Sequence, residues 1–436
     1  HSIKHMFPDD GTSVYDYALV VDPETGSPSW VLWPEIAPPA KHDTKAAFAD
    51  MIVQTADTVK YTYLLELLVE HKKHCLISGP TGTGKTVNIA QKLFHGMPKM
   101  YVPLQFTFSA RTSANMTQNI IDGKTDKRRK GIYGPMVGKQ FVIFIDDVNM
   151  PQPEVFGAQP PIELMRQWCC AGGWYDLKEL TWRSIVDTIL VLACGPPGGG
   201  RNDVTPRFFR HFNLVGYTDM QNDVMYSIFN TIFSGFLAQF SEECQAVSEP
   251  VVHASIDIFN TCSAELLPTP AKSHYTFNLR DLGKVFQGML MGTTKTLSTP
   301  EDVVRMWVHE CSRVFRDRLV NDHDRDWFTG LLKSQLSDKL GMVPEEVIPE
   351  GELIFADFIV PGADPKLYAY VEDTSTLMPV IQDYLQDYNV EITGASMNLI
   401  MFMDAIKHIS RISRVLRQPR GNALLLGVGG SGRQSL

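Results

Sequence analysis

The stretch LISGPTGTGKTVNIA, residues 76–90, constrains this chain more than any other: an apolar run enters a glycine-rich loop, and a helix-forming segment leaves it. Gly79, Pro80, Thr81, Gly82, Thr83, Gly84, Lys85 and Thr86 satisfy the pattern G-x-x-x-x-G-K-[ST] in full, and Val87 opens the helix that follows. Glycines at 79, 82 and 84 let backbone N–H groups turn inward around phosphate oxygens, while the helix aims its positive end at them. Lys85 then supplies a cation to the β- and γ-phosphates, and the Thr86 hydroxyl can ligate Mg²⁺. The predicted cofactors are ATP or ADP with Mg²⁺. A chance turn would lack this strand-to-helix setting.

Further apolar runs of strand length, YVPLQFTFS (101–109), QFVIFIDD (140–147) and TILVLACG (188–195), read as strands buried on both faces, as in a parallel sheet. Between them PPIELMRQW begins with prolines suited to a first helical turn. The fold class expected is therefore α/β, doubly wound around a parallel sheet. FVIFIDDVNMP ends a strand in Asp146 and Asp147, at the sheet edge where open α/β folds bind ligands. Asp146 is placed to hold the metal; the competing reading is a helix N-cap. Asp147 stands where a hydrolase needs a longer Glu to orient water, so its reach is in doubt.

Downstream, LACGPPGGGRNDVTPRFFRHFN reads as a flexible glycine loop followed by a short helix carrying Arg207 and Arg210, either of which could be a surface ion-pair partner or could face a neighbouring domain. From Asn222 to about Leu340 the texture is helical. In VMYSIFNTIFSGFLAQF, Val224, Ile228, Ile232, Phe236 and Phe240 recur four apart, and SHYTFNLRDLGKVFQGML opens a helix with Arg280 near its start. Then MNLIMFMDAIKHISRISRVL and NALLLGVGGSGRQSL repeat the order helix, strand, glycine loop, which implies tandem modules of one kind. The organisation expected is a connecting segment over 1–50, an α/β part over 51–221, a helical lid over 222–345, and the start of another module over 346–436. The chain begins at His1 and stops inside that second loop, as an excised piece of something larger would.

At 436 residues, with 44% apolar and 20% charged positions, the chain can bury two or three cores. Its net charge of −9 argues against nucleic acid as partner, because phosphate neutralisation dominates such binding. Seven cysteines without CxxC spacing suggest neither a disulfide framework nor zinc, and fit a reducing compartment. His71 and His74 read as cations at a helix C-terminus. No long apolar run or leader pattern argues for a membrane or secretion. The run DGKTDKRRKG, 122–131, reads as a solvated loop in preference to a contact with an acidic protein surface.

Taken together, KRRKGIYGP, FIDDVNMP, GAQPPIELMRQW, GPPGGGRND, FNLRDLGKVFQGML and GVGGSGRQSL resemble AAA+ ATPase modules, and in their wording and order the heavy chains of axonemal dyneins. The resemblance covers essentially the whole chain and corresponds to the third module of a six-module motor ring plus the start of the fourth. It implies that Gly79–Thr86 is the Walker A loop, Asp146 and Asp147 the Walker B pair and Arg280 the second sensor. Arg207 would be the finger completing the preceding module's site; the finger for this site would come from the fourth module.

It also implies a parent that hydrolyses ATP to move on microtubules, cytoplasmic and in the axoneme of a cilium or flagellum. Neighbouring AAA+ modules would be its immediate partners, with intermediate and light chains and microtubules engaged by other parts of the parent. Two departures stand out. Gly195 follows LVLAC where the family commonly places a sensor Asn, and Asp147 replaces Glu. Both weaken hydrolysis without touching binding, so the expectation is a regulatory site that turns over slowly or, as an alternative, a structural site with permanently bound nucleotide. In the second loop, Gly427–Ser435, Arg433 and Gln434 stand where Lys and Ser or Thr are expected, with Ser435 following.

Overall fold

The computed structural model describes residues 13–38, 48, 51–349, 351, 353–392, 397–419, 421–430 and 432. The chain divides into two compact units, one formed by residues up to Pro39 with Gln54–Gln221 and the other by Ala40–Val53 with the rest. Arg433, Gln434 and Ser435 lie outside the described residues.

In the first unit, strands β1 (Tyr17–Val21) and β2 (Pro28–Leu32) form an antiparallel pair, and the one-turn α1 (Trp33–Ile36) follows. Helix α2 (Ala56–Glu70) is capped by Thr55, whose side chain accepts from the Thr58 amide. Then come β3 (Cys75–Ser78), α3 (Lys85–His95), β4 (Tyr101–Thr107), α4 (Ala114–Asp122), β5 (Asp126–Arg129), β6 (Ile132–Gly134) and β7 (Gln140–Asp146). The unit closes with α5 (Pro160–Ala171), β8 (Gly173–Tyr175), β9 (Trp182–Ile185), β10 (Thr188–Cys194), α6 (Pro206–Phe209) and β11 (Asn213–Gly216).

The main sheet has the order β11-β3-β10-β7-β4 and is parallel throughout. Strand periodicity explains its apolar runs. Phe141, Ile143 and Ile145 of β7 join one core with Leu190 and Leu192 of β10, while Val142 and Phe144 join the opposite core with Ile189 and Val191. Alternate residues of a strand point to opposite faces, so a strand covered on both sides must be apolar at every position. β4 departs from that expectation: it is the edge strand, and its residues are half-buried or exposed.

Two other local readings change. The run 122–131 is not simply a solvated loop, because Asp126–Arg129 pairs with β6 in a second sheet of order β5-β6-β9-β8, anchored by an ion pair between Arg128 and Asp187. His71 does sit at the C-terminal end of α2, with its ring Nδ1 2.9 Å from the Leu67 carbonyl. His74 is no cation: burial lowers its pKa, and its Nδ1 accepts from the Leu190 amide at 3.0 Å, which requires a neutral ring.

The second unit begins with α7 (Asn222–Leu237), α8 (Glu242–Ala246), α9 (Ser248–Glu265), α10 (Leu279–Met289), α11 (Pro300–Val314), α12 (Asp322–Asp338) and α13 (Pro344–Val347). The buried stripe of α7 is Met225, Phe229, Ile232, Phe233, Phe236 and Leu237; Val224 and Ile228 are only half-buried. A strict spacing of four drifts around a helix of 3.6 residues per turn, so the stripe shifts by one position at its start. The pair β12 (Phe355–Ala356) and β13 (Ala369–Tyr370) then packs with α14 (Leu377–Glu391) and α15 (Met403–Arg417) around Ile354, Phe358, Leu377 and Ile406.

The helix expected from residue 397 starts only at Met403, and no strand forms over 422–428, where Leu424 and Leu426 are exposed. Apolar content marks a strand, but a paired ladder makes one. No helix among the described residues is long and apolar enough to cross a membrane.

Candidate functional site: a phosphate loop facing two aspartates

The loop between β3 and α3 is shaped by its glycines for two different reasons. Gly82 and Gly84 have φ of 90° and 77°, the left-handed region where a side chain is strained. Gly79 instead lies against the end of β11, where a Cβ would come within 2.5 Å of the Tyr217 carbonyl oxygen. Gly84 caps α3 without any side-chain hydrogen bond, so the first amides of that helix are left to an anion. Thr83 is buried and donates to the Pro80 carbonyl at 3.0 Å, while Thr81 and Val87 face solvent.

Lys85 folds over this loop, its Nζ donating to the carbonyls of Gly79 at 2.7 Å and Pro80. Burial lowers its pKa, opposed by the carboxylates of Asp146 and Asp147 and reinforced by Arg201, so all four groups share one electrostatic neighbourhood. Thr86 Oγ1 donates to Asp146 Oδ2 at 2.6 Å, bridging the start of α3 to the end of β7. The other Asp146 oxygen accepts from the Asp147 amide at 2.9 Å. Asp147 itself has φ of 50°, a conformation Asp tolerates better than most residues. A hydroxyl and a carboxylate are hard oxygen donors of the kind Mg²⁺ takes, so these two residues would suit such an ion.

A residue that sequence reasoning passed over completes the site. Arg201 Nη2 lies 3.0 Å from Asp147 Oδ1. The same guanidinium fills the space beside Gly195, where a Cβ would stand 2.7 Å from Arg201 Nε. The GPPGGGR segment that delivers it is not a flexible loop: Gly198 and Arg201 exchange two backbone hydrogen bonds of 3.0 Å across Gly199 and Gly200, both at positive φ. That is a tight turn only glycines make readily. Asn149 donates to the Gly195 carbonyl at 2.8 Å, and its Oδ1 and the Arg201 Nε are buried without a hydrogen-bond partner. The signal for Arg201 was the run of three glycines, which only a turn that must return the chain would need.

Arg207 sits on α6 with its side chain 71% exposed, 4.0 Å from Glu163. Arg210, the last residue of that segment, is also exposed. Arg280 belongs to the second unit, exposed in the first turn of α10, its amide bonded to the Asn278 cap at 2.9 Å. The first unit thus brings together Gly79–Thr86, Asp146 and Asp147, adds Arg201, and leaves Arg207 facing solvent.

Comparison with known proteins agrees with this geometry. The signature described as "P-loop containing dynein motor region" matches residues 40–220, that of an AAA+ lid domain matches 251–347, and that of "P-loop containing dynein motor region D4" matches 397–436. The chain is 46% identical over 459 aligned positions to mouse dynein axonemal heavy chain 1, covering 100% of this chain and 11% of that protein. It is 42% identical to rat dynein axonemal heavy chain 12, over 98% of this chain and 14% of the relative, and 41% identical to human dynein axonemal heavy chain 3, over 99% and 11%.

The chain belongs to the dynein heavy-chain family. It spans roughly a tenth of the length of the relatives it matches. In dynein terms it carries an AAA+ motor region with its lid and the opening of motor region D4. The sheet of parallel strands with helices, the phosphate loop on β3 and the acidic end of β7 are the α/β half of that AAA+ architecture.

Proposed function

We propose that this chain is the regulatory nucleotide-binding third module of an axonemal dynein ring, holding ATP or ADP with Mg²⁺ and hydrolysing slowly if at all by itself. The observation that carries the reading is the Thr86–Asp146 bridge of 2.6 Å at the mouth of a loop whose glycine amides, Lys85 and uncapped helix start all offer hydrogen-bond donors to an anion. Thr86 and Asp146 would hold the metal, which would neutralise phosphate charge. Lys85 exchanges loop carbonyls for phosphate oxygens, and the amides of Gly82 to Val87 line the cradle.

The outward position of Arg207 supports its role as the finger of the preceding module's site, and the place of Arg280 at a helix start supports its role as a sensor of nucleotide state. The parent would be an ATP-driven, minus-end-directed microtubule motor for ciliary beating, working in the axoneme, with intermediate and light chains and microtubules contacted elsewhere. The nucleotide in this module would then gate the ring, through whatever contacts differ between its states. Lys85→Ala should weaken binding of both ATP and ADP by about 10-fold or more, since it removes charge-assisted bonds to phosphate. Unchanged affinity, read with a fluorescent nucleotide, ends this reading.

A specific observation favours a second reading, a structural module with permanently held nucleotide: Asp147 is engaged by Arg201, and Gly195 offers no side chain to an attacking water. Phosphate release from a chain extended through the whole fourth module separates the two. An arginine finger is typically worth about 10³–10⁵ in rate, and no gain on supplying it supports the structural reading.

A further inference from the structure

We propose that Arg201 discriminates nucleotides by their terminal phosphate, occupying the place that Gly195 leaves without a side chain and exchanging Asp147 for a γ-phosphate oxygen. The inference rests on the nucleotide-binding reading above and goes beyond it by naming how the site tells ATP from ADP.

Three observations converge. The first is steric. A Cβ on Gly195 would meet Arg201 Nε at 2.7 Å, Cδ at 2.9 Å and Cζ at 3.1 Å, so a side chain at 195 and the guanidinium compete for one space at the end of β10. Glycine at 195 is therefore not only the loss of a sensor; it makes room for a different one.

The second is an unfinished set of hydrogen bonds. Arg201 Nη2 holds Asp147 Oδ1 at 3.0 Å while its Nε is buried without a partner. A guanidinium is a planar fork of five N–H donors that fits carboxylate and phosphate oxygens equally well. A phosphate oxygen can then replace Asp147 with no change in the kind of bond made. The side chain is 21% exposed and Asp147 35%, so the pair is open enough to exchange.

The third is backbone anchoring. The paired bonds between Gly198 and Arg201 close the turn, the Asn202 amide donates to the Asn149 carbonyl at 2.9 Å, and Asn202 Nδ2 reaches the carbonyls of Met150 at 3.3 Å and Pro151 at 3.0 Å. The main chain of Arg201 is thereby stapled to the segment that follows Asp147, leaving the guanidinium as the part that swings. ADP leaves the Arg201–Asp147 pair intact. ATP breaks it, and Asp147 is released in a backbone conformation already at φ 50°. A ligand shifts a two-state element only through contacts that differ between its states, and this pair provides such a contact.

The test compares the affinities of ATPγS and ADP, each with Mg²⁺, in the whole chain and in four variants. Arg201→Gln should weaken ATPγS about 10-fold or more while ADP stays within about 2-fold, since only the γ-phosphate loses a charge-assisted bond. Gly195→Ala, which keeps the charge but displaces it, should show the same selective loss. Asp147→Asn removes the competing charge and should tighten ATPγS by a larger factor than ADP. Lys85→Ala should weaken both. Equal losses of ATPγS and ADP in Arg201→Gln, or no loss, overturn the proposal; if that variant does not fold, an ATPγS affinity in Asp147→Asn that gains no more than that of ADP overturns it instead. Lys85→Ala binding both nucleotides normally would fault the nucleotide site itself, a different failure.

Discussion

Two arginine–carboxylate pairs, one in each unit, use the same chemistry in opposite settings. Arg201 and Asp147 meet through a single bond at the rim of the phosphate site, with solvent at hand. Arg414 of α15 meets Glu310 of α11 in the interior of the second unit, where Glu310 is fully buried and Arg414 is 10% exposed. There Arg414 Nε lies 3.1 and 2.9 Å from the two Glu310 oxygens, a further bond runs from Nη2, and the Tyr368 hydroxyl stands 3.1 Å from Glu310 Oε1. Burial by itself would lower the Arg414 pKa, yet the adjoining Glu310 charge raises it beyond its ordinary value. His309, alongside, is pushed well below its usual pKa by burial, with Arg313 and Arg414 adding to it; its Nδ1 sits 3.0 Å from the Leu353 carbonyl. The difference teaches that satisfaction and burial, not the identity of the charges, separate a staple from an exchangeable contact.

The largest expected effect tests the staple. Arg414→Ala leaves a buried carboxylate uncompensated and should cost about 3–5 kcal/mol in unfolding free energy, read by denaturant titration. A loss below about 1 kcal/mol would erase the contrast. Next, Gly288 faces Glu310 so closely that a Cβ would fall 1.7 Å from Oε2. Gly288→Ala should therefore destabilise the fold by about 1–3 kcal/mol, seen as a lower melting temperature, and a neutral result would mean the pair has slack.

The rim pair should behave otherwise. Arg201→Gln is expected to change stability by no more than about 1 kcal/mol, since solvent screens a half-exposed ion pair. A larger loss would mark Arg201 as structural.

The smallest effect is in pH. Burial of Asp281 favours its neutral form, but bonds from Arg318 outweigh this and hold the carboxyl below its ordinary value. A lowered folded pKa contributes stability that is present above the unfolded value of 3.8 and is lost as pH falls through the folded one. Acid unfolding of Arg318→Gln should thus begin at higher pH than that of the parent chain, and superimposable acid transitions would remove Asp281 from the account.

Much of the site was legible because its parts are consecutive. Gly79 to Thr86 is a local object whose spacing encodes its own turn, and FVIFIDD announces a buried strand ending in charge. The sheet was legible for a similar reason, since double-sided burial writes itself as an unbroken apolar run. The edge position of β4 and the hairpin at Asp126–Arg129 were not, because exposure and pairing depend on neighbours far along the chain. The ring of His74 shows the same limit: its position suggested a cation, and the amide of Leu190, 116 residues away, made it a neutral acceptor.

From its order of residues alone, then, this chain specified a phosphate-loop pattern between strand and helix, a buried strand ending in two aspartates and a run of helices, since each is set by spacing within one segment. Only the tertiary structure decided what stands beside the glycine at 195. Arg201 is separated from Asp147 by 54 positions, and the space they share exists only once β7 and β10 lie side by side and a turn of three glycines folds the chain back between them. Steric room is a property of packed neighbours and has no representation along the chain.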